Sequence, residues 1–154
     1  MNSIDEKLKD LGIELPTPMK PVANYVPWVK TGKLVFVSGQ GAMVGGNVQF
    51  PGKLGGNVSL ADGVTSAKLT AINIMAQLRE AADGDLSKVK RIVKLVGFVS
   101  CTPEFTDHPK VINGASDLMV AVFGEKGRHA RSAVGVPSLP LDFSVEIEAI
   151  AELE

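Results

Sequence analysis

One cysteine, two histidines, one tryptophan and one tyrosine in 154 residues leave this sequence short of many side chains that carry chemistry. With Cys101 alone, no disulfide can form within the chain, which fits a reducing compartment. His108 and His129 have no metal-ligand spacing with Cys101, so the sequence offers no zinc ligand set. No histidine-containing triad can be drawn around Cys101 either, and a lone cysteine reads as a small buried side chain. Six Phe, with Tyr25 and Trp28, are too few to fill a core and also spare a base-stacking platform. Sixteen basic against 17 acidic residues, net charge −1, argue against a face that holds nucleic acid mainly by neutralising phosphates. No apolar run approaches a membrane span, and MNSIDEKLKD is too polar for a secretory signal. The stretch GGNVQFPGKLGG lacks both the spacing and the strand–helix setting of a P-loop or dinucleotide fingerprint. The expectation is a soluble, cytoplasmic protein with no cofactor, no metal and no membrane partner, for which nucleic acid is a poor fit.

What is present has the composition of a globular fold, 45% hydrophobic and 21% charged, at a length that suits one sizeable core. Ser3 and Glu6 form a capping-box pattern that predicts a helix over residues 3–11, ended by Gly12. LPTPMKP, residues 15–21, holds three prolines in seven positions and must be an extended arm. Residues 1–20 are therefore set apart as a helix and Pro-rich arm, and residues 21–154 as the main domain. NYVPWVKTGKLVFVSGQ predicts a hairpin, with Tyr25 to Val29 before a turn at Thr31-Gly32-Lys33 and Leu34 to Val37 after it. Pro27 predicts that its first strand is at an edge, or irregular there. Gly45-Gly46 marks a turn, and Gly52, Gly55 and Gly56 a flexible loop.

The three- and four-residue steps of Val64, Ala67, Ala71, Ile74, Leu78 and Ala81 predict a long helix over 59–82. IVKLVGFVS, residues 92–100, is β-branched with little alternation, as in a strand covered on both faces. Val111, Ala115, Leu118 and Val122 give a second long helix over 107–123 its inner face. SAVGV is a strand, and DFSVEIEAIAEL alternates, with Phe143, Val145, Ile147, Ala149 and Ala151 on one face. This order predicts an α+β fold, a sheet with two long helices on one face. Trp28, Phe36 and Val96 cannot all hide under two helices, so a second subunit is expected on the other face.

Tyr25, Ser38-Gly39-Gln40, Asn113, the ARS of 130–132, the LP of 139–140 and VEIEAIA of 145–151 occur in an order that resembles the Rid family, also called the YjgF/YER057c/UK114 or endoribonuclease L-PSP family. The resemblance runs from about residue 20 onward, and the N-terminal helix with the PGKLGGN insertion resembles a longer-chain branch. It implies a chorismate-mutase-like fold, a mixed sheet assembled into a homotrimeric barrel with clefts between subunits. It also implies cofactor-free hydrolysis of enamines and imines to 2-oxo acids and ammonia. The chain departs from many deaminases of the family in having NYVP around Tyr25 and Ala133 where cysteine is frequent.

By that resemblance Arg131 grips a substrate carboxylate and Glu146 positions or activates the attacking water. Tyr25, Ser38, Gly39 and Asn113 line the substrate cleft. Chemistry supports the types. A guanidinium pairs both oxygens of a carboxylate through a planar fork, and a stiff strand suits it as a base. A carboxylate can orient water by hydrogen bonding, a phenol can donate to a carboxylate, and glycine permits close backbone approach. Each residue has a plainer alternative: an ion pair of Arg131 with Glu146 or Glu148, a solvated strand face for the two glutamates, a core tyrosine, a loop-bridging Asn113. Arg128 and His129 are placed in a solvated loop. The alternatives for the whole protein are a non-catalytic trimer that binds small carboxylates and a ribonuclease.

Overall fold

The computed structural model describes residues 3–18, 20 and 22–154. Helix α1 (Ser3–Asp10) ends where Gly12 takes φ 70° and the amides of Leu11, Gly12 and Ile13 bond back to the carbonyls of Lys7, Lys9 and Leu8. Of the Pro-rich arm, residues 15–18 and 20 carry no regular structure, while Met19 and Pro21 lie outside the described residues. Leu8 and Leu15 are buried in the main hydrophobic cluster, and Arg79 donates to the carbonyls of Leu15 and Pro16. Helix and arm thus share one core with the sheet.

The sheet runs β1-β2-β7-β5-β6. Its strands are β1 (Trp28–Thr31), β2 (Leu34–Gly41), β5 (Val89–Ser100), β6 (Ala130–Val136) and β7 (Val145–Leu153). All neighbours are antiparallel except β5 and β6, which are parallel. The hairpin turn is Gly32-Lys33, with Thr31 already paired to Leu34. The first strand begins at Trp28, not at Tyr25, because Pro27 has no amide to give the ladder. A small ribbon of β3 (Met43–Val44) and β4 (Asn47–Val48) closes through Gly45-Gly46, both at positive φ.

Helices α2 (Leu60–Ala81) and α3 (His108–Phe123) cover one face of the sheet. Ser59 caps α2 by accepting from the Asp62 amide. Small residues let the layers close up. A methyl at Gly114 of α3 would meet the Val64 carbonyl of α2 at 2.2 Å, and one at Gly97 of β5 would meet Ile112 at 2.6 Å. Strand β5 is covered on one face only within the chain: Leu95, Gly97 and Val99 are buried under the helices, while Val96 and Phe98 on the other face stay half-exposed. That open face also carries Phe36, 42% exposed, with Val134 and Ile150. Trp28 does not belong to it; its ring packs on the core cluster, and the Lys30 ammonium sits 5.8 Å from the ring centroid.

The Gly-rich segment 51–58, expected as a flexible loop, is tied down. Leu54 is fully buried, donates to the Ser100 carbonyl and accepts from the Thr102 amide. Asn57 bridges the Lys53 amide and the Pro51 carbonyl, and the Gly52 amide donates to Asp142. No described helix is long and apolar enough to cross a membrane.

Candidate functional site

Arg131, the second residue of β6, lies opposite Leu95 and shares its helix-side face. Its Nη1 donates to Asn113 Oδ1 at 2.8 Å and to Ser116 Oγ at 3.2 Å, both on α3. The alternatives of an ion pair with Glu146 or Glu148, and of a loop-bridging Asn113, are both corrected. Among the described residues Arg131 meets no carboxylate, and Asn113 serves the arginine. His129 stays in the connection before β6, but its side chain is half-buried and hydrogen-bonded rather than solvated. Its Nδ1 lies 2.6 Å from the Gly127 carbonyl and its Nε2 2.9 Å from Ser116 Oγ. A carbonyl only accepts, so Nδ1 carries a proton; in the neutral ring Nε2 then accepts from the Ser116 hydroxyl. The chain Gly127–His129–Ser116–Arg131 orients the guanidinium at the end of the sheet. Ser116 was missed as a candidate, although it sits three residues beyond Asn113 on the same helix face. Arg128 does stay outside, paired with Glu125 at 3.1 Å.

Ser38 and Gly39 form a β-bulge. Register passes from Val37↔Ala149 to Gln40↔Ile147, so two residues of β2 face the single Glu148 of β7. Ser38 Oγ donates to the Val26 carbonyl at 2.8 Å and its amide donates to the Pro27 carbonyl at 2.9 Å. This clamps the segment that carries Tyr25, which is 58% exposed and so is no core tyrosine. Tyr25 and Gly39 line one groove of about 680 Å³ with Asn73, Gln77 and Phe143.

Glu146, on β7 opposite Gly41 and Phe98, lies over Gly39. A methyl at Gly39 would come within 2.8 Å of its Oε2. Burial first, and the like charge of Glu148 second, push its carboxyl above the ordinary glutamate range.

The candidates therefore gather into two groups that no contact joins. Arg131, Asn113 and Ser116 sit on the helix side at the β6 edge. Glu146, Gly39, Ser38 and Tyr25 sit two and three strands away toward the other edge, with the Glu146 side chain on the open face. Within one chain the two groups do not form one cavity.

A mixed sheet with two long helices on one face, a parallel β5–α3–β6 crossover and a bulged β2 is the chorismate-mutase-like α+β fold. Residues 5–153 match the family described as "YjgF/chorismate mutase-like, putative endoribonuclease", and the chain belongs to it. It is 46% identical over 149 residues to Protein TCP17 of Trypanosoma cruzi, covering 95% of this chain and 91% of that one. It is 30% identical over 142 residues to the 2-iminobutanoate/2-iminopropanoate deaminase of Dermatophagoides farinae, covering 92% and 95%. The crystal structure of Atu1372 from Agrobacterium tumefaciens superposes with a TM-score of 0.93 at 49% identity, covering 99% of this chain and 93% of that one.

Proposed function

We propose that this protein hydrolyses reactive enamines and imines, small 2-imino acids above all, to 2-oxo acids and ammonia, in clefts between the chains of a homotrimer. One observation carries the reading: an arginine is immobilised on Nη1 by two side chains and meets no carboxylate among the described residues. Its remaining N–H groups suit an incoming carboxylate, and such charge-assisted bonds contribute about 1.5–3 kcal/mol each. The named deaminase of Dermatophagoides farinae is consistent with the same chemistry.

In this reading the carboxylate of the imine docks on Arg131. Glu146, as carboxylate, accepts a proton from a water that adds to the imine carbon. Glu146 returns that proton to the nitrogen, giving a carbinolamine; the hydroxyl proton then passes through the same carboxylate to the amino group, and ammonia leaves as the tetrahedral carbon collapses to the ketone. Tyr25 and the Gly39 backbone border the reacting carbon. The separation of Arg131 from Glu146 within one chain is why the site is assigned to the junction of two copies, where the open face with Phe36, Val96 and Phe98 would also find cover.

The test is hydrolysis of 2-iminobutanoate generated in situ by a dehydratase, with wild type, Arg131→Ala and Glu146→Gln. Acceleration that both substitutions abolish is the expected result; no acceleration by the folded wild type refutes it. Ala133, where family deaminases often have cysteine, favours a second reading, binding of small carboxylates without turnover. Saturable 2-oxo acid binding lost in Arg131→Ala, with several imines unhydrolysed, would establish that instead.

A further inference from the structure

The crossover β5–α3–β6 leaves a second crevice at the carboxyl ends of its two parallel strands. Open α/β units commonly bind ligands there. It encloses about 570 Å³ and is lined by Cys101, His108, Lys53, Thr102, Phe105 and Pro137. Lying four residues beyond Arg131 on the same side of β6, about 13 Å away, it belongs to neither group of candidates above. No motif joins residues 101 and 108, yet the fold sets Cys101 Sγ 3.4 Å from His108 Nε2.

Three independent features converge on this pair. Gly135 of β6 lies directly beneath it; a methyl there would come within 2.4 Å of His108 Nε2 and 2.7 Å of Cys101 Sγ. Glycine weakens a strand interior, and here it clears the space in which thiol and imidazole meet. The His108 ring is set by the edge of Phe105, with centroids 5.5 Å apart and planes at 85°. The Lys53 ammonium lines the same wall and donates to the Pro137 carbonyl, with two N–H bonds left over.

We propose that this crevice is a reactive-thiol site in which Cys101, with His108 as its base, takes up small α,β-unsaturated carbonyl compounds by conjugate addition. The thiol proton passes to Nε2 of the neutral imidazole. The sulfur electron pair forms an S–C bond to the β-carbon, and the π electrons move onto the α-carbon and carbonyl oxygen as an enolate beside Lys53. The imidazolium returns the proton to the α-carbon. The product is a thioether, and no oxidant or reductant takes part. Burial holds the resting thiol above its ordinary range, opposed first by a hydrogen bond with the Val136 backbone and then by the Lys53 charge, so sulfur becomes nucleophilic only as His108 accepts the proton.

Cys101 is the only cysteine, so intact-mass spectrometry with acrylamide reads the site cleanly, one adduct per chain. The expected result is wild-type addition at least tenfold faster than in His108→Gln of unchanged circular dichroism. Added imidazole should restore the rate in His108→Ala. Equal rates in wild type and folded His108→Gln, or no adduct on the native wild type, overturn the proposal. Where neither His108 variant folds, the native wild type must react faster than glutathione under the same conditions, and a rate at or below glutathione's overturns it.

Discussion

Adding one methyl group at Gly39 tests whether the carboxylate above it does chemistry. Gly39 has no left-handed φ, so an alanine there strains nothing in the backbone, and its whole effect is steric. The new carbon would stand 2.8 Å from Glu146 Oε2, 2.9 Å from Cδ and 3.1 Å from Cγ. Comfortable contact needs about 3.5 Å or more, so the carboxylate must retreat by roughly 0.6–1 Å. Holding Glu146 away from its preferred torsions costs about 0.5–1.5 kcal/mol. For a chain of this size, 1 kcal/mol is a fall in Tm of about 2–4 °C. The rate should suffer more, because misplacing a reacting group by about 1 Å costs on the order of 10²-fold. Arg131 stands apart from Gly39, so the loss should fall on kcat, with KM changed by less than about threefold. Initial rates on 2-iminobutanoate generated in situ, with a thermal melt of the same sample, measure both. A Gly39→Ala chain that melts lower but keeps its kcat refutes the role given to Glu146.

Further outcomes are expected. Ser116→Ala removes one bond to Arg131 and leaves His129 Nε2 without its donor; 2-oxo acid affinity should weaken by about 3–15-fold in isothermal titration, and an unchanged Kd contradicts the orienting network. The raised Glu146 carboxyl predicts that kcat falls on the acid side above the ordinary glutamate value of about 4.3, because more of it is protonated there. Glu148→Gln removes the like charge and should move that limb to lower pH, and a limb that stays in place refutes the coupling. The stability sign runs the other way: a carboxyl raised by folding favours the native state at low pH and ceases to do so as pH rises through its native value, so Glu146→Gln should not lower Tm at neutral pH. Leu54→Ala should cost about 2–5 kcal/mol in urea unfolding; a loss below about 0.5 kcal/mol would mean that the Gly-rich loop is not anchored as described.

The legible parts of this fold were those with a period. From Ala67 on, the alanine-rich stripe of α2 buries the side chains its spacing predicts, Val64 alone staying half-exposed, and so do the inner face of α3 and the alternation of β7, because local geometry and burial select the same residues. What failed to show were features set by a single distant partner. Trp28 turns to the helix side because β1 pairs it with Val37, which no count within the hairpin decides. The loop at Leu54 looks mobile from its glycines, yet one buried leucine and the end of β5 hold it. Arg131, Asn113, Glu146, Ser38, Gly39 and Tyr25 were all visible as candidates. Their division into two groups was not, since it depends on strand order and on which sheet face each side chain takes. Cys101 and His108 meet because the chain folds back between the end of β5 and the start of α3, over a glycine of β6 that leaves them room.

In the proposed site Arg131 of one copy works with Glu146 of another. Oligomers assembled from a mixture of Arg131→Ala and Glu146→Gln chains test it directly, since neither chain alone carries both groups. With random assembly, about a quarter of the junctions between copies should regain an intact pair. Imine hydrolysis near that fraction of the wild-type rate, from two parents that are each inactive, is the result predicted. Mixed oligomers as inactive as their parents would contradict it.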